Sequence, residues 1–237
     1  MSEASGRSVE AGKGWTWIAD GFGLFKKAPG VWIALVVLLF VILFVLAWIP
    51  LLGMIAMFLL MPVFMGGLFL GCRKLQGGGE LEIGQLFEGF KVPQTSNLLV
   101  LGALTLAGWV VVMVPVIVIV GAGAVFGTLR GDAAGAVAIG GSFLLAWLIA
   151  LALSILLYMA IWFAPALIVL RGTAPVAAIK ESFQGCLRNV VPFLIYGIAL
   201  LVLGIVATIP LGLGWLVLGP VTIASVYVSY LDIYGPA

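Results

Sequence analysis

The sequence predicts an all-α polytopic membrane protein. Six transmembrane helices are expected in three parallel repeats, each an amphipathic cytoplasmic surface helix followed by a transmembrane hairpin. Three observations carry this reading. Of 237 residues, 64% are hydrophobic and only 8% charged, the charges are segregated between long apolar runs, and one Ile/Phe spacing recurs ahead of the hairpins. A soluble globular domain carries about a quarter charged residues, so that class falls away, and no nucleic-acid partner is expected. The mean hydropathy of +1.32 agrees.

Charge at the bilayer centre costs several kcal/mol, so charge-free runs mark what can lie in lipid. They are Ala28 to Cys72, Val92 to Leu129, Ala133 to Leu170 and Asn189 to Leu231, with 45, 38, 38 and 43 residues. Since about 20 residues cross a core of about 30 Å, the first and last runs each hold two spans joined by a tight turn. The middle two hold one each. The third span is expected from near Leu98, after Gln94-Thr95-Ser96-Asn97, and the fourth from near Ser142, after a Gly/Ala-rich loop around Arg130 and Asp132. Runs such as Ile33 to Leu46 do not alternate, which argues against a β-barrel.

Ten of the eleven basic residues lie before the first span or between even- and odd-numbered spans, and only Arg130 lies on the other side. That bias places both termini and the two longer connections in the cytoplasm. Cys72 and Cys186 then face a reducing compartment and are expected as free thiols. The first apolar stretch is too long for a signal-peptide core. Residues 1–13 read as a mobile polar tail and 14–237 as a single membrane domain, with repeats at about 14–72, 79–170 and 174–231.

The repeat rests on three segments: Ile18, Phe22 and Phe25; Ile83, Phe87 and Phe90; Ile179, Phe183 and Cys186. Intervals of four and three put each set on one helical stripe, with Asp20, Glu88, Lys180 and Glu181 on other faces. Such helices are expected in the headgroup region, aromatics toward the acyl chains. Prolines follow at Pro29, Pro93 and Pro192, and each even-numbered span carries another, at Pro62, Pro165 and Pro220.

No span contains Asp, Glu, Lys or Arg, and the chain has no histidine. Ion-coupled transport and His-based catalysis lose support, and no enzyme activity or cofactor is expected. Hydroxyls at Thr105, Ser154, Tyr158, Tyr196, Thr208, Thr222, Ser225, Tyr227 and Ser229 suit interhelical hydrogen bonds. Met54, Met57, Met61 and Met65 with Cys72 could bind Cu(I), but thioethers fill packing gaps more often. Lys26, Lys27, Arg73, Lys74, Lys91, Lys180 and Arg188 are the candidate headgroup-binding residues, each contributing about 1 kcal/mol toward anionic membrane lipids. A lipid-interacting or accessory/scaffold protein is the leading expectation, with a partner membrane complex or homo-oligomer possible. A passive channel or carrier for small neutral or amphipathic solutes is the alternative.

The opening Gly14-Trp-Thr-Trp-Ile18 with Gly21 to Pro29, the segment Trp162 to Pro165 and the ending Ser225 to Ile233 resemble an uncharacterised family of proteobacterial integral membrane proteins. More loosely, the pattern is similar to the membrane domain of some glycerophosphodiester phosphodiesterases. That resemblance implies a lipid setting in a bacterial inner membrane and brings no catalytic residues.

Overall fold

In a computed structural model, residues 6–236 are described, and they form helices and turns without a strand. Nine α-helices follow in order: α1 Lys13–Lys27, α2 Pro29–Ala47, α3 Leu52–Gln76, α4 Thr95–Arg130, α5 Ala133–Ile161, α6 Ala164–Arg171, α7 Pro175–Arg188, α8 Val190–Thr208 and α9 Trp215–Tyr234. A 3₁₀ segment, Ile83–Phe90, lies between α3 and α4. Six stretches are long and apolar enough to cross a membrane: α2, α3, α4, α5 continued into α6, α8 and α9. Proline sets several boundaries, because its fixed φ suits a first turn. Pro29 opens α2, Pro165 lies in the first turn of α6 and Pro175 opens α7.

The middle hairpin differs from the sequence expectation. Its third span starts at Thr95 and not Leu98, its fourth at Ala133 and not Ser142, and the loop around Arg130 contracts to Gly131 and Asp132. Gly131 supplies the left-handed residue (φ 64°), and Asp132 caps α5 by accepting from Gly135 N at 2.8 Å. The Gly/Ala-rich stretch is helix because small residues let two helices touch: a Cβ on Gly135 would lie 2.4 Å from Gly127 O. With 36 residues, α4 is about 54 Å long, well beyond the hydrocarbon core.

The short helices each pack on the hairpin that precedes them in the chain. The 3₁₀ segment lies on α3, α7 lies on α5 and α6, and α1 closes the circle by lying on α9 and α8. Glycine enables two of these contacts. A Cβ on Gly89 would sit 2.0 Å from Val63 O, and one on Gly21 would sit 2.7 Å from Ser225 N. The α7 joint is polar instead: Ser182 Oγ donates to Met159 O at 2.8 Å and accepts from Phe163 N at 3.0 Å, satisfying backbone where α5 breaks before Pro165.

The Ile/Phe stripe does not occupy one environment. Ile83, Phe87 and Phe90 are exposed, whereas Ile18 and Phe25 are buried against the bundle and only Phe22 of that set faces outward. In α7, Ile179 and Phe183 are half-buried and Cys186 is buried. The second set departs from the expected stripe as well: the 3₁₀ segment has about three residues per turn, so Phe87 and Phe90 align but Ile83 does not.

Residues 6–12 also depart from a mobile tail, while residues 1–5 lie outside the described residues. Arg7 N donates to Ile233 O at 2.8 Å, Val9 N to Asn189 Oδ1 at 2.8 Å, and Asn189 Nδ2 to Arg7 O at 3.0 Å. This strap ties the start of the described chain to its end.

The core lies at one end of the bundle, where α3, α6 and α9 meet around the fully buried Phe69, Phe163, Leu167, Tyr227 and Tyr230. Elsewhere the helices expose Leu, Val, Ile and Phe, as lipid-facing surfaces do. Span hydroxyls bond both within and between helices. Thr105, Thr208, Thr222, Ser225 and Ser229 donate to carbonyls three or four residues back, while Tyr196 with Ser225 (2.7 Å), Tyr227 with Gln76 (2.8 Å) and Trp215 Nε1 donating to Thr208 Oγ1 (3.1 Å) join helices.

Gly21→Ala is expected to lower the thermal unfolding midpoint of detergent-solubilised protein, at a cost of about 1–3 kcal/mol, because it forces α1 off α9. Gly23→Ala, where a Cβ meets nothing within 4 Å, is expected to be neutral or stabilising; equal melts for the two would refute the close-approach argument. Cys72 and Cys186 are both buried free thiols, and burial pushes the Cys186 thiol up to about 12. Both are therefore expected to resist N-ethylmaleimide for hours in the folded protein and to react fully after denaturation, as mass spectrometry would read.

Candidate functional site

Basic side chains collect where helices end, because the last carbonyls carry partial negative charge. Lys26 and Lys27 close α1, Arg73 and Lys74 close α3, and Arg188 closes α7; Lys91 follows the 3₁₀ segment and Lys180 lies exposed on α7. Contacts among these ends bring the seven to one end of the bundle. Lys27 Nζ donates to Leu75 O at 3.2 Å, and Arg188 Nη1 donates to Gly6 O at 2.9 Å beside the end of α9.

They do not converge on one pocket. Lys74 pairs with Glu82 at 2.5 Å and holds that carboxyl below the usual range; Lys91 pairs with Glu88 at 2.7 Å; Lys26 Nζ lies 5.2 Å over the Phe22 ring. These exposed pairs contribute little to stability. Lys27 lines a cavity of ≈ 480 Å³, which also carries Asp20 and Asp232. The seven form a rim, with Arg7, Lys13 and Arg171 at the same end and Arg130 at the far tip of the α4–α5 hairpin.

Two apolar clefts open between the hairpins. Neighbouring hairpins pack closely through α3 with α4 and through α9 with α2, whereas α5 and α8, the remaining pair of this kind, meet at Trp162, whose ring lies 6.1 Å from those of Phe193 and Tyr196, and leave a gap beside it. The gap is a cavity of ≈ 520 Å³ lined by Ile155, Tyr158, Trp162, Phe193, Tyr196 and Leu200. A second, of ≈ 550 Å³, lies between α1 and the α8–α9 hairpin, with Trp15, Phe22, Leu203, Pro210, Val217 and Leu218 on its walls. Both walls are almost wholly apolar, and volumes of this size suit a ligand with hydrocarbon chains.

The methionines do not gather. Met54 and Met61 face outward, Met65 packs against the core, and Cys72 is fully buried. Among the described residues no cluster of three His, Cys, Asp or Glu could hold a metal ion.

The first and last of the segments behind the proteobacterial resemblance meet in space. Trp17 Nε1 donates to Asp232 Oδ2 at 2.9 Å, Lys13 Nζ lies 3.2 Å from the same oxygen, and a Cβ on Gly14 would lie 2.2 Å from Pro192 O. They read as a structural joint between α1, α8 and α9. Two arginines outside the candidate set, Arg7 and Arg171, share a cavity at this end. Nothing local marks them, because they are 164 residues apart in sequence, 171 less 7, and only the fold joins them.

No family profile matches the chain, and no solved structure matches it. It is similar to a protein of Burkholderia thailandensis named "Probable inner membrane protein", with 28% identity over 198 residues, 80% of this chain and 73% of that protein. The looser likeness to the phosphodiesterase membrane domain gains no support from these comparisons. Six apolar helices and this relative together make the chain an integral membrane protein.

Proposed function

We propose that the chain is a lipid-interacting accessory protein of the bacterial inner membrane, built from three parallel copies of a unit comprising a surface helix and a hairpin. The observation that carries the reading is the pairing of two laterally open apolar clefts with a rim bearing ten of the eleven basic residues. Acyl chains fit the first and anionic headgroups the second. The circular order, in which each short helix leans on the preceding hairpin and α1 on the last, is what a closed ring of three like units would give. The relative's name favours the inner membrane, and the one-sided basic rim favours cytoplasmic termini by the positive-inside rule. A passive channel along the bundle axis has less in its favour, because Phe69, Phe163 and Tyr230 fill the centre where α3, α6 and α9 meet.

Native mass spectrometry after gentle detergent extraction tests the reading. Wild-type protein is expected to arrive with bound anionic phospholipid. Replacing Leu200 in the α5–α8 cleft by Trp is expected to reduce retained lipid several-fold with the melt unchanged. Protein that carries no lipid even from the mildest detergents would refute it.

A further inference from the structure

Where α6 and α9 finish, a cavity of ≈ 660 Å³ is lined by Gly6, Arg7, Arg171, Ile233, Tyr234 and Pro236. Both guanidinium groups are fixed at its wall by the end of α9. Arg7 Nε donates to Asp232 O, and Arg171 Nη2 donates to Tyr234 O. Arg171 also lies 5.8 Å from the Tyr230 ring centre and 5.7 Å from that of Tyr234. Each anchor uses one of five N–H donors, which leaves both forks with donors to spare.

Neither arginine has an ion-pair partner among the described residues. The Asp232 carboxylate is held by Lys13 and Trp17. Glu181, on α7, lies near enough for the Arg171 charge to act on it, although burial outweighs that influence and raises its pKa. Arg188 Nη1 donates to Gly6 O at this rim. Two fixed guanidinium groups facing one cavity form a fork suited to tetrahedral oxyanions, since each can offer parallel N–H donors to phosphate oxygens.

We infer that this cavity binds a phosphate group between Arg7 and Arg171, carried either by an anionic phospholipid or by a soluble phosphate compound. The lipid source rests on the function proposed above; the soluble source does not.

The test uses the full chain in detergent micelles, with dioctanoyl phosphatidylglycerol, dioctanoylglycerol and inorganic phosphate as separate probes, read by native mass spectrometry and by the shift in thermal melt. One saturable, phosphate-dependent site is expected, and Arg7→Gln and Arg171→Gln are each expected to weaken it by about tenfold. Because both arginines also cap α9, Pro236→Glu is the companion variant. It places a carboxylate at the mouth while leaving the cap alone, and is expected to melt like wild type yet lose the site. Saturation by inorganic phosphate alone identifies a soluble source, and a requirement for acyl chains identifies a lipid. Wild-type affinity in Pro236→Glu and Arg171→Gln, or no phosphate-dependent binding by wild type, would overturn the inference. Phospholipid retained equally by wild type and both variants sinks this site and spares the lipid reading; phosphate binding without retained lipid does the reverse.

Discussion

The seat of α1 on α9 is the contact on which the rest of the arrangement depends. It joins the first helix to the last, and it is made by absence of side chain as much as by attraction. Gly14 and Gly21 bring the α1 backbone against α8 and α9, at distances no Cβ could occupy. Within that close approach the Trp17 indole reaches Asp232, and Lys13 balances its charge. A partly buried carboxylate with two donors is far less costly than one without, so the joint is satisfied only in this register. Residues 6–12 then run across the end of α9 and supply donors to its last carbonyls.

Circular packing follows from that joint and from the solvent. In lipid, apolar surface gains nothing by being buried against other apolar surface, so helices associate where backbones come close or polar groups meet. The glycine contacts at Gly67 and Gly89, at Gly102 against Leu59, and at Gly127 and Gly135 are such places. Polar pairs such as Tyr227 with Gln76 and Tyr234 with Glu181 gather at the basic end. The core lies there too, and the far halves of α4, α5 and α8 stay open to lipid. The length of α4 exceeds the thickness of the hydrocarbon, a mismatch met by tilt or by local thickening of the bilayer.

The candidate site was legible in kind but not in place. One-sided basic residues can be counted along the chain, and the structure does gather them at one end. Their ion pairs with Glu82 and Glu88, and the cavity shared by Arg7 and Arg171, depend on backbone paths that no local spacing encodes. The apolar clefts were also invisible, because Tyr158, Trp162 and Leu200 look like any lipid-facing residues until α5 and α8 are seen to flank a cavity. The Gly/Ala stretch near Arg130 misled for a related reason: glycine reads as loop in water, whereas between two membrane helices it is a contact surface.

By itself the sequence determined the membrane class, the number of spans, the one-sided charge and the short segment ahead of each hairpin. Those properties are local, since the cost of a charge in hydrocarbon is set by the residue and its neighbours along the chain. Tertiary structure decided which faces meet: that Ile18 and Phe25 are buried while Phe87 and Phe90 are not, that a cavity opens between α5 and α8, and that residues 7 and 171 line one cavity. Helices that are apolar all round carry no record of which side faces a partner. That choice falls to a few glycines and hydrogen bonds whose partners are distant in the chain.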